Sequence, residues 1–389
     1  MPIDWVQARK TVYQAGLQAR LEPVSVPLAE ADGMVLAQPV APLTDLPAFP
    51  TSSIDGWAVR GDGPWRIVPG RVLAGHEAPP LATDGTAIEI ATGAMVPAGT
   101  GAILRVEEST VDGDKVAGQP RASAEWREPG EEAHAGEELL AAGTRVNPGI
   151  IGLAASCGYD SLKVARRPRA AVLIFGDELL TSGPPGGGRV RDALGPPLPA
   201  FLRRLGAECV SVIGPIEDTL DAHVDALRQA LASGVDVICT TGGTMRGPVD
   251  HLHPALGTVG AEYLVNTVAV RPGYPMMMAK IPGGPFVAGL PGNPQSALVA
   301  LMSLVSPLLA GLTGAPHPEL GSGTLGGPVA GRGDFTHLAL VRRHGAHWVP
   351  VPHVGSAMLR GLAGSQGFAV IPPHGQGLPA QRVELLEFP

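Results

Sequence analysis

The chain is poor in charge, in aromatic rings and in cysteine, and each scarcity removes a class of function. Charged residues are 16% and hydrophobic ones 44% of its 389 residues, which excludes a disordered polyelectrolyte and leaves apolar material for two to four packed domains. Lys and Arg total 28 against 36 Asp and Glu and are scattered, so the basic stripe of a nucleic-acid binder is missing. A local pocket on an acidic protein can still be positive, so an anionic small molecule remains a candidate ligand. The three cysteines, Cys157, Cys209 and Cys239, are far apart in apolar settings. An odd number without metal-ligand spacing reads as buried free thiols in a reducing cytoplasm. The opening MPIDWVQARKTVYQ has no basic-then-apolar targeting pattern. The apolar run 297–312 is interrupted by Ser303, Ser306 and Pro307 and is shorter than the roughly 20 residues of a membrane span, so a buried core helix is predicted. Also absent are GxxxxGK[ST], a GxGxxG after a strand, and Gly-x-Ser-x-Gly. Their absence argues against a P-loop NTPase, a dinucleotide fingerprint and an α/β-hydrolase nucleophile.

Glycine and proline are abundant instead, at 53 and 40 residues, and imply many turns and irregular β-structure. Trp5, Ala8, Val12, Ala15 and Leu17 place an amphipathic helix over 4–19. From 60 to about 114, short β-branched runs broken by Gly and Pro predict a small barrel or sandwich, with Glu107 and Glu108 on a solvated edge. A short helix is expected at 148–157, and the basic, proline-containing tract 165–171 reads as a domain boundary. Strands at 170–175, 208–213 and 235–241 then alternate with helices at 198–205 and 219–232, and further strands follow at 263–270, 276–281 and 286–290. This βα alternation predicts a doubly wound sheet, and 315–389, again β-rich, a separate small barrel or sandwich. The boundaries expected are an N-terminal region 1–168 with a β subdomain about 56–138 inserted, an α/β domain 169–314 and a C-terminal barrel 315–389.

The stretch that organises the rest is VDVICTTGGTMRGPVD, 235–250. A near-continuous apolar strand fits a sheet covered on both faces, and ligands of open α/β sheets bind outside the carboxyl ends of the strands. Gly242 and Gly243 remove side chains at that edge; a tight turn is their ordinary meaning, and what adds weight is the company they keep. Glu178 (with Asp177), Asp218 and Asp250 each follow a predicted strand end. If those strands are parallel neighbours the acids meet on one rim, where mutual repulsion calls for a cation. Oxygen ligands that leave room for substrate phosphates suit Mg²⁺; solvated loop acids are the plain alternative. Pro291-Gly292-Asn293-Pro294 precede a helix N-terminus, whose free amides and dipole favour an anion. His251 and His253 form an H-x-H without further ligands at informative spacing. Asp55-Gly56, after the loop framed by Pro47 and Pro50, reads on its own as a turn.

PAFPTSSIDGWAVR, ATGAMVPAG, GDEL, TTGGTMRGPVD, RPGYP and GLPGNPQSA occur in one order along the chain, and that order resembles the molybdopterin molybdenumtransferase family, known as MoeA or the gephyrin E domain. The resemblance runs from about Trp5 to Phe388. It implies an elongated homodimer with a partly β N-terminal region, a molybdopterin-binding α/β domain and a C-terminal β-barrel. It also implies a cytoplasmic enzyme of molybdenum cofactor biosynthesis that inserts molybdenum from molybdate into adenylylated molybdopterin with Mg²⁺, releasing AMP. A molybdoenzyme or cofactor carrier would receive the product. By this resemblance Asp55, in Ser-x-x-Asp-Gly, reaches the site across the dimer, and Glu132 stands where many members have aspartate. Glu178, Asp218 and Asp250 line the site and hold metal or molybdate, and Thr241, Gly242 and Gly243 lie beside them. Pro291, Gly292, Asn293 and Pro294 form the turn beside the pterin phosphate, and Ser356 lies in the Gly-Ser segment. The chain departs from the family pattern in several places. Lys-Pro-Gly-Lys-Pro reads Arg271-Pro-Gly-Tyr274-Pro, an upstream lysine is Thr267, and Thr-Gly-Asp-Glu has become Phe175-Gly-Asp-Glu. Tyr-Asp-x-Asn is Arg191-Asp192-Ala193-Leu194, and Ser-Val-Gly is Met245-Arg246-Gly247. Arg246 and Arg271 are the arginines expected to stand in for lost lysine charge. Two other readings stay open: a non-catalytic cofactor-binding or carrier paralogue, and a pyrophosphatase-type hydrolase.

Overall fold

The computed structural model describes every residue except Arg246, Pro248 and Val249. Its organising element is a six-stranded sheet. Glu208–Ile216, Arg169–Phe175, Val237–Thr241 and Phe286–Leu290 run parallel in that spatial order. Met277–Lys280 pairs antiparallel with the last of these, and Glu262–Val265 closes the edge antiparallel to Met277–Lys280. Alternation along the strands explains why the sheet is covered on both sides. Ala170, Val172 and Ile174 enter one core with Leu198, Leu202 and the apolar helix after Phe286–Leu290. Ala171, Leu173 and Phe175 enter the other with Val224, Leu227, Leu252 and Leu256. The domain is doubly wound, as the βα alternation predicted. From Arg169–Phe175 the chain crosses first to Glu208–Ile216 on one side and then to Val237–Thr241 on the other. That reversal makes a crevice at the strands' carboxyl ends.

The apolar stretch is a core helix. Pro294–Thr313, 20 residues long, is by length and composition able to cross a membrane, but 89% of its most apolar window is buried inside the molecule. Its middle turn, Leu301–Val305, is π-helical. Helix Trp5–Gln18, N-capped by Asp4 through the amide of Gln7, lies along it. The Trp5 indole donates to Ser303 Oγ at 2.8 Å inside the core. Gly16 and Gly311 meet backbone to backbone: a methyl group added at Gly16 would fall 2.6 Å from the Leu308 carbonyl oxygen. The first helix of the chain therefore completes the core of the α/β domain. Arg9, buried beside Trp5, donates to the carbonyls of Met302 and Pro318; burial pushes its pKa down to about 10, so it stays charged at neutral pH.

Between that helix and the central sheet lie two β units. One is a three-stranded sheet of Pro23–Pro27, Ser161–Ala165 and Val35–Leu36, packed on helix Pro148–Ser156. The other is a six-stranded sheet within 56–118, with apolar clusters around Ile88 and Ile103 on one face and Trp65 and Leu104 on the other. Glu107 and Glu108 are exposed in a short 3-10 turn, and Glu108 pairs with Arg121. The tract 166–168 is only a short link into the central sheet, where the Arg166 guanidinium grips Asp236 with two bonds of 2.7 and 2.8 Å.

The C-terminal part is a closed five-stranded barrel. Thr336–His344, His347–Pro350, Gly321–Leu325, Arg382–Glu387 and Gly367–Ile371 pair in sequence, and the last returns to the first. One expectation is corrected here. The run 263–270 is not a single strand: Glu262–Val265 stays in the α/β sheet, while Val270–Arg271 pairs in parallel with Thr336–His337 of the barrel. The Val268 amide bonds the Tyr274 carbonyl and the Ala269 amide bonds that of Ile3, so the backbone changes partners just past the polar pair Asn266-Thr267 in the middle of the run.

Candidate active site

Where the central sheet's carboxyl edge faces the barrel there is a cavity of about 1480 Å³. Both glycine-containing turns line it. Gly242 and Gly243 have φ of +84° and +65°, a pair of left-handed residues that only glycine adopts without cost. The Gly242 amide bonds the Leu290 carbonyl at 3.0 Å, and a Cβ at Gly292 would lie 3.6 Å from the Gly242 Cα. The turns after Val237–Thr241 and Phe286–Leu290 thus abut. Thr241, Pro291, Asn293 and Pro294 lie on the same wall. Asn293 N-caps the core helix without a side-chain bond. Ser356 comes over from the barrel side, its carbonyl accepting from the Gln295 amide at 3.0 Å.

The acids separate. Glu178 and Asp250 line the cavity and Asp218 does not. Glu178 folds back over Gly176, where a Cβ would sit 2.6 Å from its carboxylate. Asp250 Oδ2 accepts from the Gly247 amide at 2.7 Å. Asp218 follows the edge strand Glu208–Ile216 and exchanges weak amide bonds with Asp177, 3.4 and 3.3 Å long. Their strands are the parallel neighbours expected, yet the three-acid convergence is not found. Among the described residues no three His, Cys, Asp or Glu side chains come close enough to hold a metal ion. The edge strand runs past its predicted end at 213 to Ile216, and the turn after it sets Asp218 against the Asp177 backbone. Two carboxylates on the cavity fit Mg²⁺, which binds through one or two carboxylates with substrate phosphates and water.

The facing wall comes from the barrel and from Val270–Arg271. Arg271, Tyr274, Arg332, Phe335 and His337 line it, and Arg191 and Asp192 close one end. The Arg271 guanidinium lies 4.5 Å from the Phe335 ring centre and 5.1 Å from that of Tyr274. Phe335, Arg332 and His337 carry no signal in the sequence beyond a glycine-rich turn between two β-runs; only closure of the barrel brings them here. Asp55 and Glu132 lie away from the cavity. Asp55 is exposed on the β lobe and accepts from the Thr92 amide at 2.7 Å. Glu132 is exposed, its amide bonded to the Leu46 carbonyl. Arg246 lies outside the described residues.

Beneath the Gly-Gly turn is an imidazole the sequence did not single out. His223 is fully buried and stacks on Phe175 at 3.8 Å. Its Nδ1 donates to the Thr219 carbonyl at 2.8 Å, leaving Nε2 without a partner among the described residues. Burial holds its pKa below the ordinary histidine value. The H-x-H serves structure: His253 bridges the Tyr263 hydroxyl and the Thr244 carbonyl, while His251 meets the His223 ring edge-on. Cys157 and Cys239 are buried and Cys209 partly so, all as free thiols.

A doubly wound domain whose switch-point cleft is roofed by a barrel belongs to the class of multidomain α/β proteins that take a small molecule at the sheet's carboxyl edge. Comparison with known proteins narrows the class. Residues 3–158 match the MoeA N-terminal region (domain I and II), and residues 171–311 match the probable molybdopterin binding domain. The chain is 29% identical over 381 residues to the molybdopterin molybdenumtransferase of Staphylococcus aureus (strain COL), covering 93% of this chain and 90% of the relative. To that of Staphylococcus epidermidis (strain RP62A) it is 28% identical over 402 residues, covering 98% and 94%. Among solved structures, a molybdopterin biosynthesis moea protein from Pyrococcus horikosii superposes over 100% of both chains, with a TM-score of 0.82 at 25% identity. The chain belongs to the MoeA family.

Proposed function

We propose that this chain is a molybdopterin molybdenumtransferase acting in molybdenum cofactor biosynthesis. Molybdate and adenylylated molybdopterin are its substrates, and AMP is released when the diphosphate linkage is cleaved. The observation that carries the reading is the cavity, which two carboxylates, Glu178 and Asp250, an arginine, Arg271, and two abutting glycine turns line together. Glu178 and Asp250 would hold Mg²⁺ together with substrate phosphate oxygens. When bound, the ion neutralises charge on the diphosphate and polarises it for cleavage. Arg271 and Arg191 supply cationic donors to the anionic groups. The Gly242–Gly243 turn lets a ligand approach the backbone, and the roof around Ser356 limits water. Such donors, fixed before the substrate arrives, favour the charge that develops during transfer. Asp55, exposed and outside the cavity, serves the cavity of a second protomer in this reading, which requires a homodimer. Free buried thiols agree with a cytoplasmic enzyme, and the product passes to a molybdoenzyme or carrier.

Incubation with adenylylated molybdopterin, Mg²⁺ and molybdate tests the reading. The expected result is AMP together with metallated pterin. Binding without AMP would make the chain a cofactor carrier, the reading favoured by Thr267 and Tyr274 at positions where the family pattern has lysine. AMP release that ignores molybdate would make it a pyrophosphatase-type hydrolase.

A further inference from the structure

Arg271 is an unusual cation for a binding cavity. Among the described residues its guanidinium makes no hydrogen bond or ion pair, and it lies over two aromatic rings. Phe335 and Tyr274 meet edge to face at 5.8 Å and 83°. The backbone beneath is fixed from both sides. Val270–Arg271 is a strand of the barrel sheet, and the Thr336 amide, next to Phe335, bonds the Ala269 carbonyl. On the other side Gly273, at φ +107°, packs so closely that a Cβ would lie 2.8 Å from the Met276 methyl and 3.1 Å from Val299. A long side chain without polar partners ordinarily samples many rotamers. Here the rings restrain it while leaving all five N–H donors free.

We propose that Phe335 and Tyr274 are positioning residues that orient the Arg271 guanidinium as the anchor for a tetrahedral oxyanion in this cavity. The rings attract the cation through their faces and consume no donor. A planar fork held this way presents two parallel N–H groups to two oxygens of one anion. The inference rests on the proposed function only for which oxyanion is taken, molybdate or the phosphate of a pterin substrate. The arrangement also explains how Tyr274 stands at a position where a second basic residue is expected. One oriented cation, backed by two rings, replaces two mobile ones.

The test is equilibrium titration of the whole protein with molybdate, with orthophosphate and with a phosphorylated pterin, which needs no turnover. Phe335→Leu and Tyr274→Leu keep much of the apolar volume and remove the ring face. Each is expected to weaken oxyanion binding about two- to five-fold, with the melting temperature retained and Phe335→Tyr restoring affinity. In an Arg271→Gln background the same substitutions should have no further effect, because the rings act only through the guanidinium. If the wild type turns over, KM for the affected substrate rises while kcat holds. A loss confined to molybdate, or to the phosphate-bearing ligands, identifies the anion and supports the proposal either way. Unchanged affinity in both leucine variants overturns it, as does an equal loss in the Arg271→Gln background. Absence of turnover in a wild type that still shows the ring-dependent affinity would count against the proposed function alone.

Discussion

Gly16→Ala isolates the contact on which the α/β core depends. In an open helix this change is stabilising by about 0.5–1 kcal/mol, since glycine loses more backbone freedom on folding. At Gly16 the new methyl would lie 2.6 Å from the Leu308 carbonyl oxygen and 3.0 Å from the Leu312 amide. Both are backbone atoms that no rotamer change can move. Ordinary contact begins near 3.4 Å, so the helices must part by about 0.8 Å, and overpacking of this kind costs about 1–3 kcal/mol. With little room to yield, the net effect is about 2 kcal/mol destabilising, which lowers the melting temperature by about 4–8 °C for a domain of this size. Calorimetry of the α/β transition reads it. Gly152→Ala is the control: it lies inside helix Pro148–Ser156 with nothing within 4 Å of the added carbon, and it should stabilise. Gly16→Ala with Gly311→Ala should cost less than the sum, because helices separated by one methyl admit the second. A Gly16→Ala protein that melts higher, as Gly152→Ala should, would show that the helices do not touch there.

Acid should destabilise the protein before its carboxylates titrate. His223, His317 and His337 are all held below their ordinary 6.5 by burial. Above pH 6.5 they are neutral in both folded and unfolded chains, and stability is level. As pH falls below that value the unfolded chain takes up protons that the folded one resists, so stability drops. Glu108 and Glu125, held down by Arg121 and Arg105, begin to matter only below about 4.5. Urea midpoints at pH 8, 6 and 5 should therefore fall in that order; a level profile would sink the argument. If Asp55 serves the cavity of a second protomer, mixtures of inactive Asp55→Ala and inactive Asp250→Ala should regain partial activity. No recovery despite demonstrated subunit exchange would count against a shared site.

The α/β domain was legible because its signals are local. Periodicity and flanking prolines placed helix Leu198–Arg204 within a residue, and Phe286–Leu290 was read to its ends. The turns at Gly242 and Pro291 were legible for the same reason, since the residues that break the chain also shape the rim. What escaped depends on pairing across long distances. The run 263–270 reads as one strand because apolar residues lie on both sides of Asn266 and Thr267; that polar pair marks the break, but nothing nearby says that the second half belongs to the barrel. Asp218 was misplaced by three residues of extra strand, enough to turn an acid from the cavity to a neighbouring loop. Phe335 was invisible, since its role exists only once the barrel closes beside Arg271.

The alliance of the first helix with the core helix also sets the order in which the molecule can be made. Trp5 and Ser303 are 298 residues apart, and at roughly 5–20 residues per second the ribosome needs about 15–60 s to make the second after the first. Through that interval the β units of the N-terminal region can close, while the apolar face of the opening helix waits without its groove. The α/β domain is thus the first begun and among the last completed. A chain that stalls before Pro294 leaves Trp5, Ala8 and Val12 exposed, a ready target for a chaperone or protease whatever the state of the domains already folded.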